Sequence, residues 1–346
     1  MRSASVSRGR ATQERPVGIP LDDHVPVLKV SDLSVAYRTR RGDIIAVEKV
    51  SFDLGRGEFL GIVGESGCGK STLLFAIAQL LAPPAEITAG SVAFKGTDLT
   101  TLDQRQLAGI RWKEMSVVMQ SAMNALNPVK SIGAQFADAM RAHGVSSKLE
   151  IAERSAEVLK MVGIDPEHLR SYPHQLSGGM RQRSMIAMAL LFTPDLVIMD
   201  EPTSALDVVA QRSLMIQIKE LQQQLGFAVI FVTHDMSLVS HFSDRLMVMY
   251  AGQVAELGAT RTVFDNPLHP YSAGLLDAFP SIRGPKVALT GIPGSPPDLA
   301  RPPEGCRFAP RCPLVQDRCR QAPVPLFTTG DVLVRCILQG NGVRPA

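Results

Sequence analysis

The sequence predicts an α/β protein built on a parallel sheet, and three observations lead to that prediction. A buried apolar run, Phe59–Val63, leads into the glycine-rich stretch Gly64–Thr72, and a helix-forming run follows. From about residue 180 onwards, helical patterns alternate with short apolar strand patterns. Such alternation is typical of a parallel sheet, because two parallel strands need a crossover that usually contains a helix. The length of 346 residues allows one large or two smaller domains.

The composition is that of an ordinary globular protein. Hydrophobic residues make up 45% and charged residues 20% of the chain, and the formal net charge is only +3. Because the chain also lacks a long Lys/Arg block, we do not expect nucleic acid to be its main partner. We predict neither a membrane span nor a secretory signal, since no apolar run is long enough for a span and none follows the N-terminal arginines.

The N-terminal part is predicted to be a leader followed by strands. Residues 1–27 are rich in Ser, Arg and Pro and show little periodicity, so we expect a disordered leader. Short strands are predicted at Val27–Val30, Leu33–Tyr37 and Gly90–Phe94, and a longer one at Ile44–Leu54.

The glycine-rich stretch fits a phosphate-binding loop. It matches G-x-x-x-x-G-K-[ST] between a strand and a helix, the setting that this loop requires. The glycines allow the loop to curl, so that its N–H groups and the helix N-terminus face an anion. A chance glycine-rich turn is the alternative, and the complete motif disfavours it. The predicted nucleotide-binding residues are Gly64, Glu65, Ser66, Gly67, Cys68, Gly69, Lys70, Ser71 and Thr72.

Two carboxylates follow a second apolar strand, Leu196–Met199, which we expect to lie beside the strand of the phosphate loop. Lys70 is expected to reach the β- and γ-phosphates, and the Ser71 hydroxyl to bind Mg²⁺. Asp200 can hold Mg²⁺ directly or through water, and Glu201 can polarise the water that attacks the γ-phosphate. An exposed acidic strand end is the alternative, and the phosphate loop in the same chain disfavours it.

The region between these motifs has a helical pattern. Helical periodicity runs over Ala134–Val162, and a further helix is predicted over Met180–Phe192. The segment Leu176–Arg183, LSGGMRQR, offers a possible N-cap serine and two glycines at the start of this second helix. Such a helix N-terminus allows close approach of an anion, although an ordinary capped helix would look the same.

The later part of the chain changes character. A helix over Ser213–Leu225 precedes a buried strand over Phe227–Thr233. Beyond Gly258 prolines crowd the sequence, so we place a domain boundary near residue 262 and predict a small, loop-rich appendage after it.

The order of these motifs resembles the ATP-binding cassette of ABC transporters over roughly residues 28–262. The phosphate loop, LSGGMRQR and the acidic strand end occur in the family's order and spacing. The resemblance implies a RecA-like parallel core, an antiparallel β subdomain and an α-helical subdomain at about residues 121–180. It also implies that two cassettes face head to tail. ATP is then held between the phosphate loop of one chain and residues 177–179 of the other, and hydrolysis releases the pair.

The same resemblance implies roles for further residues. Tyr37 is expected to stack on adenine, with a place in the strand core as the alternative. Gln120 is expected to approach Mg²⁺ and the attacking water, although Ser121 and Ala122 depart from the family pattern. His234 is expected near the γ-phosphate. The remaining implied nucleotide-binding residues are Ser177, Gly178, Gly179, Gln182 and Asp207.

A narrower resemblance covers residues 263–346. The segments Asn266–Tyr271 and Gly305–Pro313 are similar to the C-terminal extension of dipeptide and oligopeptide importer ATPases. The resemblance implies a peripheral ATPase on the cytoplasmic face of the inner membrane that powers uptake of peptides or a related solute. Its implied partners are a second, different ATPase subunit, two permease subunits and an extracytoplasmic solute-binding protein.

Two rival functions come from other classes. An ABC-type ATPase acting on nucleic acid or the ribosome usually carries two cassettes or a long coiled coil, and neither pattern occurs here. A non-transport regulatory ATPase is the weaker third possibility. The sequence does not identify the solute.

Four of the five cysteines fall in the appendage with the spacing C-x5-C-x6-C-x16-C. In a cytosolic chain, clustered thiols indicate a metal site before disulfides. Zinc and iron–sulfur sites both favour closer pairs, so the spacing leaves the metal open. The importer resemblance implies a structural [4Fe–4S] cluster, with Zn²⁺ as the alternative. The implied ligands are Cys306, Cys312, Cys319 and Cys336. The arginines that could offset the charge of four thiolates are Arg307, Arg311, Arg318, Arg320 and Arg335.

Overall fold

The computed structural model describes residues 25–120, 125–204, 206–278 and 291–340. Nearly all of the predicted leader, and the departure at Ser121 and Ala122, therefore lie outside the described residues. Within the described ranges, none of the helices combines the length and the apolar character that crossing a bilayer requires.

The described residues form strands and helices in the following order. The strands are β1 (Leu28–Thr39), β2 (Gly42–Leu54), β3 (Phe59–Val63), β4 (Ala85–Phe94), β5 (Thr97–Asp98), β6 (Met115–Val118), β7 (Leu196–Asp200), β8 (Ala228–Val232), β9 (Arg245–Tyr250), β10 (Gln253–Ala259), β11 (Phe327–Thr329) and β12 (Val332–Val334). The helices are α1 (Lys70–Ile77), α2 (Gln104–Ile110), α3 (Ile132–Ala142), α4 (Lys148–Met161), α5 (Gly178–Ala189), α6 (Val208–Leu225), α7 (Met236–Phe242), α8 (Thr260–Asp265) and α9 (Pro270–Asp277).

The core is a mixed sheet whose central part is parallel. Its order is β11-β12-β10-β9-β3-β8-β7-β6, and the strands from β9 to β6 run parallel. Strands β3, β7 and β8 are buried along their whole length, as expected when helices cover both faces. The predicted α/β fold is confirmed.

One prediction about this sheet is wrong. The strand that ends in Asp200 does not lie beside β3, because β8 lies between them and pairs with both. Phe231 in β8 is opposite Gly61 on one side and opposite Met199 on the other. Apolar runs show that a strand is buried but not which buried strand is its neighbour. Parallel strands still end at one edge, so Asp200 remains near the phosphate loop.

The second sheet is antiparallel, with the order β2-β1-β4-β5. The two short strands predicted near its start form one strand, β1, whose pairing shifts register between Val30 and Ala36. The predicted helical region divides into α3 and α4, and Gly144 between them has a left-handed φ of 90°. This is a conformation that glycine adopts readily and that ends helices.

The appendage beyond residue 262 is joined to the core sheet. Strand β12 pairs antiparallel with β10 through Glu256 and Val334, and β11 completes a hairpin. The domain boundary predicted near residue 262 falls within α8, and the domain limits stay predictions. Residues Ala251 and Gly252 form the turn between β9 and β10. Because β12 pairs with β10, the appendage lies close to this turn, and Arg307 donates to the carbonyl of Ala251.

Candidate active site

The phosphate loop is closed around the side chain of Lys70. Its ammonium group donates to the carbonyls of Gly64, at 2.8 Å, and Glu65, at 3.0 Å, and the residue is only 8% exposed. A Cβ at Gly64 or at Gly69 would lie 2.2 Å from a backbone oxygen, so both positions require glycine. At Gly67, which has a φ of 77°, a Cβ would meet nothing within 4 Å. The loop is therefore packed against the protein at both ends and open in the middle.

Asp200 and Ser71 form a pair suited to a divalent cation. Asp200 is 2% exposed, and its Oδ1 atom has no hydrogen-bond partner among the described residues. Burial raises the pKa of Asp200, whereas a hydrogen bond from Ser71 and the charge of Lys70 lower it. A buried carboxylate oxygen without a partner beside a hydroxyl fits the ligand preference of Mg²⁺.

Glu201, Gln120 and His234 come together at the carboxyl end of the parallel strands. Gln120 Nε2 donates to Glu201 Oε2 at 2.8 Å, and His234 Nδ1 lies 3.6 Å from Glu201 Oε1. The backbone of Glu201 has a φ of 46°, and its N–H donates to Val232 O at 2.9 Å. Left-handed backbone at a non-glycine residue is costly and often occurs at functional sites. The three residues singled out for catalysis therefore share one site.

Tyr37 lies at the edge of the phosphate loop. Its hydroxyl is 3.1 Å from Thr72 Oγ1, and its side chain is half-buried. This position, beside the loop and outside the strand core, suits an aromatic ring that contacts a nucleotide base.

The segment Leu176–Arg183 contains the start of helix α5. The Ser177 hydroxyl caps the helix by accepting from Met180 N at 3.2 Å, and a Cβ at Gly179 would meet nothing within 4 Å. Asp207 caps α6 in the same way, accepting from Ala210 N at 2.9 Å. Gln182 differs from the other predicted binding residues, because it is only 3% exposed and its Nε2 has no partner among the described residues.

The appendage contributes residues that sequence reasoning missed. Arg311 forms two hydrogen bonds with the carboxylate of Glu65, at 2.7 and 2.9 Å, and the Tyr271 hydroxyl accepts from Glu65 N at 2.9 Å. The appendage therefore contacts the phosphate loop directly. Both residues lie inside motifs that were used only to recognise the family, and no local pattern indicates a contact across 246 positions.

The four appendage cysteines line one small cavity, together with His269 and Phe308. The cavity measures about 20 Å³, room for about one water molecule. In the described part of the chain, no three His, Cys, Asp or Glu side chains are arranged to hold a metal ion. Burial raises the pKa of the Cys306 thiol to about 11, and it also raises the pKa of Cys312 and Cys336. The donors suit a soft metal, but their described arrangement does not fit a preformed site.

Three of the arginines that could offset the thiolate charge form their hydrogen bonds with groups other than the cysteines. Arg307 bonds to Glu48 and to the carbonyl of Ala251, and Arg311 bonds to Glu65. Arg335 donates to backbone carbonyls, those of Val254 at 3.0 Å and Val324 at 2.9 Å. These guanidinium groups already have acceptors in the fold, because buried donors must be paired.

Two family models match the chain. One described as "ABC transporter" matches residues 47–204, and one described as "Oligopeptide/dipeptide transporter, C-terminal region" matches residues 255–319. A solved dimeric ATP-binding cassette bound to ADP and Pi superposes with a TM-score of 0.61 and 31% identity, covering 68% of this chain and 99% of that one.

Curated relatives extend the similarity to nearly the whole chain. The dipeptide transport ATP-binding protein DppD of Bacillus subtilis is 45% identical, and the match covers 92% of this chain and 97% of that protein. The oligopeptide transport ATP-binding protein OppD of Salmonella typhimurium is 45% identical, with 86% and 89% covered. These matches confirm the family predicted from the motifs and give no support to a nucleic-acid function. The chain belongs to the ABC transporter family and, within it, to the ATP-binding proteins of dipeptide and oligopeptide transport.

Proposed function

We propose that this chain hydrolyses ATP to power the uptake of dipeptides or oligopeptides through a membrane importer. The observation that supports the proposal is that Lys70, Asp200 and Glu201 lie close together at one site. The same chain also has the C-terminal region of oligopeptide and dipeptide transporters. The relatives named above are themselves transport ATP-binding proteins, and they match in both parts of the chain.

Each group at the site has a proposed role in binding. Lys70 leaves its two carbonyl acceptors and neutralises the β- and γ-phosphates, while the N–H groups of the loop bind the phosphate oxygens. Tyr37 supports the adenine ring. Ser71, Asp200 and Gln120 would hold Mg²⁺, which when bound neutralises charge on the phosphates.

The hydrolytic step is assigned to Glu201 and its two neighbours. Glu201 accepts a proton from the water that attacks the γ-phosphate, while Gln120 and His234 orient its carboxylate and that water. The Ser177 to Gly179 segment, with Gln182 and Asp207 behind it, would complete the site of a second cassette. The open backbone at Gly179 suits the approach of a γ-phosphate.

The proposed partners follow from this arrangement and from the family. They are a second, different ATPase subunit, two permease subunits and an extracytoplasmic solute-binding protein. The chain would then work at the cytoplasmic face of the membrane.

The intact complex tests both the function and the partners. We expect mass spectrometry of the purified membrane complex to find one copy of this chain, one of a different ATPase and two permeases. In vesicles, peptide-loaded binding protein should stimulate ATP hydrolysis and drive accumulation of labelled peptide. Two copies of this chain with no second ATPase would refute the heteromeric pair. Hydrolysis without peptide accumulation would refute the transport function.

We also propose that the four appendage cysteines take up a metal, a [4Fe–4S] cluster in the first place and Zn²⁺ in the second. Support comes from four thiols around one cavity and from the predicted cytosolic setting. Uptake would require the thiols to lose their protons and the cavity to rearrange, because Cys306 has a raised pKa and the cavity is small.

Metal analysis of protein purified without oxygen tests this site. We expect iron and acid-labile sulfide in equal amounts and a brown colour that Cys312→Ser removes. Cys68→Ser should keep the colour, because Cys68 lies in the phosphate loop and outside the cavity. One zinc per chain without iron would exclude the cluster, and the absence of both metals would exclude the site.

A further inference from the structure

Arg311 is built into the junction between the appendage and the phosphate loop. The side chain of Arg311 is 5% exposed, and its guanidinium group makes five hydrogen bonds. A guanidinium has five N–H donors, so none is left for another partner. Two bonds go to the carboxylate of Glu65, and the others go to Pro293 O, Ile292 O and the Tyr250 hydroxyl.

Tyr271 contacts the backbone of Glu65. Its ring is fully buried, and its hydroxyl accepts from Glu65 N at 2.9 Å. The preceding His269 caps helix α9 by accepting from Tyr271 N at 3.0 Å, which fixes where the helix begins. Glu256 accepts from the N–H groups of Leu268 and His269 and ties this helix start to β10. Contacts that begin at Glu256 in strand β10 therefore hold Tyr271 in position.

Glu65 connects these contacts to the lysine that reaches the phosphates. Its carbonyl accepts from Lys70 Nζ at 3.0 Å and from Cys68 N at 3.3 Å. Glu65 is thus held through its carboxylate and its N–H by the appendage, while its carbonyl sets the position of Lys70. The contacts from Arg311 to Lys70 form one continuous chain.

A second contact reaches the other end of the loop. Arg307 donates to the carbonyl of Ala251, and the next residue, Gly252, donates to Cys68 O at 2.9 Å. The carboxylate of Glu48 accepts from Arg307 as well. Two arginines of the appendage therefore support the loop, Arg311 directly at Glu65 and Arg307 through the turn that contacts Cys68.

We propose that Arg311 is a positioning residue for ATP binding, which it supports by holding Glu65 and, through it, the backbone around Lys70. The proposal rests on the proposed ATPase function. A loop held in its binding conformation need not be ordered when ATP binds, which improves affinity. Because the loop contacts the phosphates before and during the reaction, its disorder should raise KM more than it lowers kcat.

Substitutions in the full chain, assembled in its complex, test this assignment. We expect Arg311→Gln to raise the KM for ATP and the Kd for a fluorescent ATP analogue by about 5- to 150-fold, the usual range of coupling between sites. Arg311→Lys keeps the charge but not the two-pronged geometry, so its KM should lie between those of the parent and Arg311→Gln. Arg301→Gln changes an exposed appendage arginine, so it is the matched control and should leave KM unchanged.

A double-mutant cycle separates positioning from a general loss of stability. The effects of Arg311→Gln and Glu65→Gln on the Kd for nucleotide should be strongly non-additive, because each variant disrupts the same contact between Arg311 and Glu65. Tyr271→Phe removes only the hydroxyl and supplies a second variant if Arg311→Gln fails to fold. An unchanged KM in folded Arg311→Gln, or additive effects in the cycle, would overturn the proposal. Failure of the parent complex to bind ATP would instead count against the ATPase function.

Discussion

Glu201→Gln is expected to bind MgATP with near-normal affinity and to hydrolyse it about a hundred- to ten-thousandfold more slowly, the usual cost of losing a general base. Glutamine keeps the shape of the side chain, so contacts with Gln120 and His234 can persist. What it loses is the ability to take a proton from the attacking water. In the proposed pair of cassettes, ATP should consequently remain trapped, because hydrolysis is the step proposed to release the pair.

Single-turnover hydrolysis and retention of labelled ATP measure these two effects separately. Glu153→Gln is the matched control, since Glu153 is an exposed carboxylate on helix α4 and should leave both quantities unchanged. Turnover close to that of the parent in a reconstituted transporter would contradict the assigned role. Loss of nucleotide binding would also contradict it, because Glu201 is proposed to act on the water and not on the phosphates.

The sequence was most informative where the chemistry is local. The phosphate loop occupies nine consecutive residues, and two of its glycines, Gly64 and Gly69, are required by close backbone contacts such as that of Ala46 O at Gly69. Ser177 caps helix α5, as its sequence pattern predicted. Features set within one turn of chain can be read from the order of residues alone.

Long-range arrangement was harder to predict. Strands β3, β7 and β8 are all short and apolar, so their patterns could not show that β8 lies in the middle. The two appendage residues that contact Glu65 are far from it in the sequence. Tyr271 follows Glu65 by 206 positions and Arg311 by 246 positions. Periodicity carries no information about such pairs, and a proline-rich segment shows even less of it. Local features were therefore easier to predict from the sequence than contacts between distant segments.

Lys70→Ala is expected to lose nucleotide binding, in contrast to Glu201→Gln. Removing a buried charged partner costs about 2–5 kcal/mol, which corresponds to a rise in Kd of roughly thirty- to several-thousandfold. Within the chain, Lys70→Ala removes the hydrogen bonds to the carbonyls of Gly64 and Glu65, and thermal unfolding measures whether the fold tolerates their loss. The expected result is a folded chain with little affinity for ATP.

Titration with a fluorescent ATP analogue and thermal unfolding with and without MgATP check this expectation. The parent chain should gain thermal stability from MgATP that increases with the logarithm of its affinity, and Lys70→Ala should gain almost none. Lys148→Ala replaces an exposed lysine at the start of α4 and should behave as the parent does. If Lys70→Ala bound ATP as tightly as the parent, the ammonium group would not bind the phosphates. The proposed nucleotide site would then be wrong.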